Sequence, residues 1–193
     1  MNKVLESIKL MKKHIKEQLS KDLIFDFYQD QEFDCYMVNK KHHDLQDIIV
    51  LPDYYNDGYN GKKPVKIIPE MGFYSCLELT SLIMPDTIEI IGSDAFNHCE
   101  SLQYIKLSKN LEKISDNLFA GCSILTNVVI PKTVTEIGAH AFKGCKSLID
   151  FTIPNSVLKI DKTAFEGCSE EVQAVYNEWK KNEVMRNFCM KDY

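Results

Sequence analysis

Cysteine and histidine are the side chains of this chain whose spacing most directly raises the question of a metal site or a nucleophile. Seven cysteines are present, and five of them recur every 23 residues: Cys76, Cys99, Cys122, Cys145 and Cys168. If 23-residue units stack on one another, these thiols lie near each other, as a redox or metal site requires. Side chains in register on parallel strands are about 4.8 Å apart, however, whereas a disulfide prefers a Cβ separation of about 3.8 Å. We therefore expect these cysteines to be small buried hydrophobic residues.

The polar stretch that contains His42, His43 and Asp44 is the other candidate metal site. Adjacent side chains on an extended chain point in opposite directions, and zinc needs three or four converging ligands, so a solvated loop is the simpler interpretation. The chain contains no C-x-x-C, H-E-x-x-H or G-x-S-x-G motif and no phosphate-binding or dinucleotide-binding glycine loop. A nucleophilic cysteine paired with a distant histidine stays open, but no cysteine has a flanking sequence that suggests activation. We predict no catalytic residues, no metal ion and no cofactor, and hence no enzyme activity.

The 23-residue period includes aromatic and aliphatic residues as well as cysteine. Phenylalanine recurs three residues before each cysteine of the series, at Phe73, Phe96, Phe119, Phe142 and Phe165. An isoleucine precedes each phenylalanine by five residues, and a leucine opens each of four units. Self-similarity at a fixed period of about 20 to 50 residues indicates a repeat architecture, in which stacked units bury their apolar residues against each other.

Each unit offers two extended stretches. In the unit of residues 125–147, three apolar residues have the spacing of a half-buried strand: Leu125, Val128 and Ile130. Pro131 ends this strand, because proline cannot donate to a strand ladder. Val134 and Ile137 then predict a second extended stretch with inward apolar residues.

A short helical turn is predicted to complete each unit. The residue that follows the repeated isoleucine belongs to a type that favours a helix N-cap, namely Gly92, Ser115, Gly138 or Asp161. Glycine precedes three of the repeated cysteines, at Gly121, Gly144 and Gly167, where a left-handed residue would end the turn. Ser75 and His98 stand at the same position in the other two units, so those turns should fit more tightly.

These residues resemble the BspA-type leucine-rich repeats, whose pattern is approximately L-x-x-I-x-L-P-x-x-Φ-x-x-I-x-x-x-A-F-x-x-C. Four units match it in register from Leu79 to about Glu170, and a fifth is interrupted by ten extra residues between Pro52 and Val65. The resemblance implies an α/β fold: a solenoid of about five 23-residue coils with parallel strands and short helical turns. It also implies protein binding or adhesion, and the family has no shared catalytic residues.

Amphipathic segments flank the repeats and are expected to cover the open ends of the solenoid. Residues 1–45 are predicted to form an N-terminal cap, in which a helix is followed by a hairpin that pairs Leu23–Tyr28 with Phe33–Val38. A separate partner helix or membrane-surface helix is the alternative for the first segment. The solenoid is assigned to residues 46–170. Residues 171–193 are predicted to form a C-terminal helical cap with an apolar stripe made by Val172, Val175, Tyr176 and Trp179.

Charge and hydropathy exclude several classes of partner. The net charge of −5 provides no general basic field for phosphate backbones, so we expect no nucleic acid partner. No window is long and apolar enough for a transmembrane segment. Residues 1–10 lack the apolar core of a signal peptide, and the cysteine spacings do not suggest a disulfide framework. A cytoplasmic location is therefore expected, with the cell surface as the alternative.

Two surfaces are candidates for binding a protein. The first is the exposed side of the first strands, which should display two columns of residues: Ser81, Tyr104, Asn127 and Asp150, and Ile83, Lys106, Val129 and Thr152. The second is the loop of residues 53–64, where Tyr54, Tyr55 and Tyr59 lie among Asn, Asp and Gly as in adaptable binding loops. Single exposed hydrophobic residues are ordinary on a protein surface, and the loop could also be disordered or pack over the first coil.

The sequence therefore favours a non-catalytic protein-protein interaction module that binds a partner through the strand face and the 53–64 loop. The alternative is a surface adhesin or carbohydrate-binding protein exported by an unrecognised route. A third hypothesis places an enzyme activity in residues 1–44, a segment that is short for a catalytic domain. The identity of the partner and the oligomeric state are not determined by the sequence.

Overall fold

The computed structural model describes residues 23–29, 34–40 and 48–189. The predicted N-terminal amphipathic helix and the His42, His43 and Asp44 cluster lie outside these residues. The described elements, in chain order, are β1 (Leu23–Gln29), β2 (Asp34–Lys40), β3 (Ile48–Val50), β4 (Tyr54–Asn56), β5 (Lys62–Ile68), β6 (Ser81–Ile83), β7 (Ile90–Ile91), β8 (Tyr104–Lys106), β9 (Lys113–Ile114), β10 (Asn127–Val128), β11 (Glu136–Ile137), β12 (Lys159–Ile160) and α1 (Glu170–Cys189).

The first strands of successive coils form a parallel sheet, here called the first sheet, in the order β3-β6-β8-β10. Its register places Ser81 beside Tyr104 and Tyr104 beside Asn127, which are 23 residues apart. Alternate residues point inward, so Leu82 and Ile105 are buried between exposed or half-buried neighbours. The predicted half-buried strand is confirmed in these coils.

The second extended stretches form two further parallel ladders. One joins β9, β11 and β12, and the other joins β7 to β5. On its other edge β5 pairs in parallel with β2, which is antiparallel to β1, so the hairpin expected in residues 23–38 is present. Cys35, Tyr36 and Val38 of this hairpin are buried in the common core. The two strands therefore extend the solenoid at its N-terminal side.

The third part of each coil is a series of hydrogen-bonded turns and not the short helix that the sequence predicted. The amides of Phe119 and Gly121 donate to the carbonyls of Ala141 and Lys143 in the next coil, at 2.8 Å each. The intervening amides of Ala120 and Cys122 donate three residues back along the chain, at 3.1 Å each. A helix requires each amide to donate to the fourth preceding carbonyl, and here the neighbouring coil takes every second amide. Within the described residues, α1 is the one helix.

Two residues in most of these turns have a left-handed backbone. The position before the cysteine has positive φ in all five units, with 54° at Ser75, 58° at His98 and 77° at Gly121, as predicted. A second left-handed position, four residues earlier, was not predicted and is occupied by Met71, Asp94, Asn117 and His140. These conformations turn alternate amides toward the next coil, so the stacking bonds require them.

The predicted N-cap residues have a different role, because no helix follows them. Gly92 and Gly138 lie where the chain passes closest to the preceding coil, and a Cβ on either would overlap Glu70 or Asp116. Asp161 accepts the amide of Thr163 at 2.8 Å, which is a local turn rather than a helix cap. The small and polar residues at this position are thus explained by stacking and turn geometry.

The core is a continuous stack of equivalent side chains. Phe73, Phe96, Phe119, Phe142 and Phe165 are almost fully buried, and neighbouring ring centroids are 5.4, 5.8, 5.4 and 5.5 Å apart. Offset stacking at this distance is favourable beyond the area that it buries. The stack continues into α1, where the Tyr176 ring lies 5.5 Å from that of Phe165 and the Trp179 indole donates to the carbonyl of Val157 at 3.2 Å.

Candidate binding surfaces

The first sheet displays the two predicted columns over β6, β8 and β10. Tyr104 is 45% exposed and Val129, which follows β10, is 74% exposed, whereas Ser81 and Ile83 are half-buried. Lys106 and Asn127 are exposed. An apolar contact area is therefore presented in a polar setting, on backbone that parallel hydrogen bonds hold rigid.

The columns begin one strand earlier than the sequence suggested. In β3, Ile48 lies beside Ser81 and Val50 beside Ile83, and Ile48 is 60% exposed. Neither residue was named as a candidate. The inserted residues after Pro52 break the 23-residue period and hid the correspondence.

The columns end one strand earlier than predicted, because Asp150 and Thr152 do not lie on a strand. The chain bends at Asp150, whose φ is 50°, and the ladder stops after the amide of Ile149 donates to Thr126 at 2.9 Å. Phe151 replaces the smaller apolar residues of other coils, and its ring packs edge-on against Phe142 at 5.4 Å and Phe165 at 5.3 Å. Both candidates are exposed, but on an irregular segment.

A cavity of about 290 Å³ lies on the first sheet between β8 and β10. It is lined by the exposed side chains of Tyr104, Lys106, Lys109, Asn127 and Val129, by Pro131, and by the buried residues Ile105 and Leu107 beneath them. All four predicted strand-face residues of these two coils therefore converge on one depression. A cavity of about 150 Å³ is enough for a benzene ring, so this one can accept a side chain of a partner.

The 53–64 insertion is an ordered hairpin rather than a disordered loop. β4 and the start of β5 pair antiparallel, with Tyr54 opposite Pro64 and Asn56 opposite Lys62. At the tip, one carboxylate oxygen of Asp57 accepts the amides of Tyr59 and Asn60 at 2.8 Å each. These hydrogen bonds hold the pKa of the Asp57 carboxyl well below its usual range, and the bond from the Asn60 amide has the largest effect.

The three tyrosines of the hairpin differ in their surroundings. Tyr59 at the tip is 95% exposed, and Tyr54 is 47% exposed with the Lys62 ammonium 4.9 Å from its ring centre. Tyr55 is half-buried, because its ring stacks on Phe25 at 4.0 Å and meets Tyr36 edge-on at 5.1 Å. Tyr55 therefore anchors the hairpin to β1 and β2, contrary to the expectation that it is displayed with the other two.

The repeated cysteines are structural. Each of four thiols donates to the carbonyl of a phenylalanine in the preceding coil, as from Cys122 to Phe96 at 3.1 Å and from Cys145 to Phe119 at 3.2 Å. Burial raises the pKa of the Cys122 thiol to about 12, which disfavours the nucleophilic thiolate. No disulfide joins the cysteines that the structure describes, and no group of three or more potential metal ligands occurs among the same residues.

A second depression, of about 570 Å³, lies where β7 and β9 fail to pair. In other coils the amide of the residue after the second strand donates to the carbonyl of the repeated isoleucine in the preceding coil, as from Gly138 to Ile114 at 2.8 Å. At this depression the Ser115 hydroxyl donates to the carbonyl of Ile91 instead. Of its charged residues, Glu89 pairs with Lys66 at 2.7 Å and Lys113 with Glu136 at 3.5 Å. The sequence analysis did not predict this depression. The feature of the sequence that corresponds to it is the serine at position 115, whose hydroxyl makes the contact with Ile91.

The comparisons with known proteins agree with the repeat. A family model described as "BspA type Leucine rich repeat region" matches residues 62–181 in six copies. No curated protein sequence matches the chain. Among the described residues, no helix has the length and apolar character that a bilayer crossing requires.

Crystal structures of bacterial leucine-rich-repeat proteins have the same fold. A protein from T. pallidum matches with a TM-score of 0.66 and 29% identity, over 76% of this chain and 64% of that protein. A protein from Bacteroides ovatus matches with a TM-score of 0.66 and 26% identity, over 77% of this chain and 39% of that protein. A leucine-rich cell surface protein from Faecalibacterium prausnitzii matches with a TM-score of 0.66 and 30% identity, over 76% of this chain and 36% of that protein. The chain thus spans less than two thirds of the length of each of these proteins.

Proposed function

Because the chain belongs to the BspA-type leucine-rich-repeat family, we propose that it is a non-catalytic module that binds a partner protein through the first sheet and the tip of the β4–β5 hairpin. The observation that carries this proposal is the cavity between β8 and β10, where Tyr104 and Val129 expose apolar surface above a rigid ladder. Aromatic side chains beside a preformed depression are typical of the residues that dominate binding energy in protein interfaces.

The proposed architecture is a solenoid of about five 23-residue coils with a cap at each end. The contacts of Tyr176 and Trp179 with the last coil support a capping role for α1. The pairing of β2 with β5 supports the same role for the hairpin of β1 and β2 at the other end. The boundaries at residues 45 and 170, and the predicted N-terminal helix, stay predictions.

The hairpin tip supplies a second contact in this proposal. Tyr59 projects from a loop that is already ordered by Asp57 and by the Tyr36 hydroxyl, which accepts the Asp57 amide at 3.3 Å. An anchor that is ordered before binding loses less conformational entropy on association. The hairpin leaves the first coil after the carboxyl end of β3. In later coils Lys109 and Lys132 follow the carboxyl ends of β8 and β10, so they lie at the same edge of the first sheet.

Binding through the first sheet is tested by comparing proteins that the full chain and its variants capture from a lysate of the native cells, quantified by mass spectrometry. The double substitution Tyr104→Ala and Lys106→Ala should lower the capture of specific partners by about tenfold or more, since central contacts dominate affinity. Leu158→Ala with Lys159→Ala makes the matched change on the second-strand ladder, where Leu158 is 68% exposed, and should leave capture unchanged. Equal capture by wild type and the first variant would remove the first sheet from consideration.

A separate variant tests the hairpin. Tyr59→Ala should reduce capture while changing the free energy of unfolding by no more than about 0.5 kcal/mol, because exposed side chains contribute little to stability. Tyr55→Ala should instead destabilise the hairpin, because that ring packs on Phe25 and Tyr36. If Tyr59→Ala leaves capture unchanged, the tip is not part of the binding surface.

The second candidate function is a surface adhesin or carbohydrate-binding protein. The observation that favours it is the likeness to the F. prausnitzii protein, which is described as a cell surface protein. The cytoplasmic location predicted from the sequence is the competing proposal. Protease treatment of intact native cells, followed by immunoblotting, separates the two: degradation of the protein supports the surface location, and protection supports the cytoplasm.

A further inference from the structure

Charged residues are distributed unequally along the strands of the first sheet. Exposed lysines lie at the carboxyl ends of β8 and β10, at Lys106, Lys109 and Lys132, while Asp53 and Asp86 are exposed after β3 and β6 and Glu78 and Glu100 are exposed before β6 and β8. In a chain with a net charge of −5, the ends of β8 and β10 therefore form a local basic region, with Asp86 at its border. It borders the cavity between β8 and β10, because Lys106 and Lys109 line part of the cavity.

The two lysines that line the cavity are only weakly neutralised by the protein itself. Lys109 lies 3.6 Å from Asp86, with side chains that are 77% and 48% exposed, and solvent-exposed pairs of this kind contribute little. The amide of Lys109, and then the charges of Lys109 and Lys106, lower the pKa of the Asp86 carboxyl, so Asp86 stays ionised at neutral pH. Lys106 forms no ion pair with the carboxylates that the structure describes.

The cavity between these lysines and Val129 is lined mainly by apolar surface. Ile105 and Leu107 are no more than 5% exposed, and Tyr104, Val129 and Pro131 also line it. A ligand that fits must therefore combine an apolar group for the cavity with negative charge for the adjacent lysines. A protein segment that alternates carboxylates with an aromatic or aliphatic side chain has this combination.

We propose that the partner of the first sheet presents an acidic peptide segment, whose carboxylates contact Lys106 and Lys109 while a neighbouring apolar side chain enters the cavity between Tyr104 and Val129. This inference rests on the proposed function and specifies the chemistry of the partner. Complementary charge increases the rate of encounter and selects among partners, and the apolar contact supplies most of the affinity.

The test uses two fluorescein-labelled peptides and fluorescence anisotropy with the full chain. The acidic probe is Asp-Phe-Glu-Asp-Phe-Glu, and its matched control is Asn-Phe-Gln-Asn-Phe-Gln, which keeps the shape and the phenylalanines but not the charges. At about 20 mM salt the acidic probe should bind at least about tenfold more tightly than the control, and the difference should shrink at about 300 mM salt because exposed charges are screened.

Charge variants locate the effect. Lys106→Gln with Lys109→Gln should bring the affinity for the acidic probe down to that of the amide probe. Lys143→Gln with Lys146→Gln removes the same charge from exposed positions in the turn region and should leave the tenfold preference intact. Equal affinity of wild type for the two peptides, absence of binding of the acidic probe, or an unchanged preference in the first variant would each overturn the inference.

The outcomes also separate this inference from the proposed function. If both peptides bind equally and Tyr104→Ala weakens both, the first sheet binds protein segments and the acidic specificity is wrong. If neither peptide binds, the acidic inference fails, while the lysate comparison with the Tyr104 and Lys106 variant still decides the proposed function.

Discussion

The turn side of the coils repeats almost without change, whereas the side that carries the first sheet differs from coil to coil. Phenylalanine centroids on the turn side stay 5.4 to 5.8 Å apart through five units. On the first-sheet side, a hairpin interrupts the first coil and the last coil has a bend at Asp150 in place of a strand. The difference indicates that buried stacking maintains the register of the coils, and that the exposed columns are free to vary and so to acquire specificity.

Substitution in each region is expected to separate stability from binding. Phe119→Ala leaves a void between two stacked rings and should lower the free energy of unfolding by about 3–5 kcal/mol. Val129→Ala, at a position that is 74% exposed, should change it by no more than about 0.5 kcal/mol. Chemical denaturation followed by circular dichroism measures both values. A small loss in Phe119→Ala would show that the aromatic stack does not maintain the register.

Glycines of the turn region provide a finer comparison. At Gly121, with φ of 77°, an added Cβ would lie 2.9 Å from the His98 ring, so Gly121→Ala combines backbone strain with a steric conflict. We expect a loss of at least about 1–2 kcal/mol, the cost of a left-handed L-residue. Gly144→Ala has a similar φ of 74° but its Cβ would meet no atom closer than 3.9 Å, so its loss should be smaller. Equal losses in the same denaturation experiment would exclude a contribution of the His98 ring.

The cysteine stack predicts a dependence of stability on alkaline pH. Burial raises the pKa of Cys122 from 9.0 to about 12, so the thiol ionises more readily in the unfolded chain than in the folded protein. Its contribution to stability is therefore complete below pH of about 9 and is lost as the pH rises toward about 12. Between pH 8 and 10 the wild type should lose about 1.4 kcal/mol more than Cys122→Ala. Parallel pH profiles of the two proteins would contradict this prediction.

The smallest expected effect is a gain in stability at Met71. This residue is 53% exposed and has φ of 56°, a conformation that glycine adopts without strain. Met71→Gly should raise the free energy of unfolding by about 0.5–1 kcal/mol, because relief of strain exceeds the added entropy of the unfolded chain. Leu158→Gly, an exposed residue without positive φ, should be destabilising. A loss of stability in both variants would mean that strain at Met71 is negligible.

The buried part of this fold is predictable from the sequence, because equivalent residues must occupy equivalent places in every coil. The phenylalanine and cysteine series, the first strands and the left-handed residues before the cysteines all followed from the 23-residue period. The match to the family model confirms the predicted family, and the observed strand pairing confirms the predicted parallel strands.

Features that depend on the neighbouring coil were not predictable from local patterns. The spacing of Ala141, Phe142 and Cys145 fits a helical turn as well as the observed turns, and the carbonyls of the next coil decide between them. The place of Tyr55 is set by Phe25 and Tyr36, which are distant in sequence. The irregular end of the first sheet follows from the size of Phe151, which a pattern of apolar positions does not distinguish from valine or isoleucine.

The hydrogen bonds between turns have a consequence for how such chains can change length. Each bond joins a residue to one 22 positions later, as from Phe119 to Ala141, and the thiol bonds join residues 26 apart, as from Cys122 to Phe96. Loss or duplication of 23 consecutive codons, or of a multiple of 23, returns every donor to an equivalent acceptor, whereas a change of another size within the turn region leaves the amides of one coil facing the wrong carbonyls. Genes of this kind can therefore lengthen or shorten by unequal recombination between repeats while each product remains able to fold.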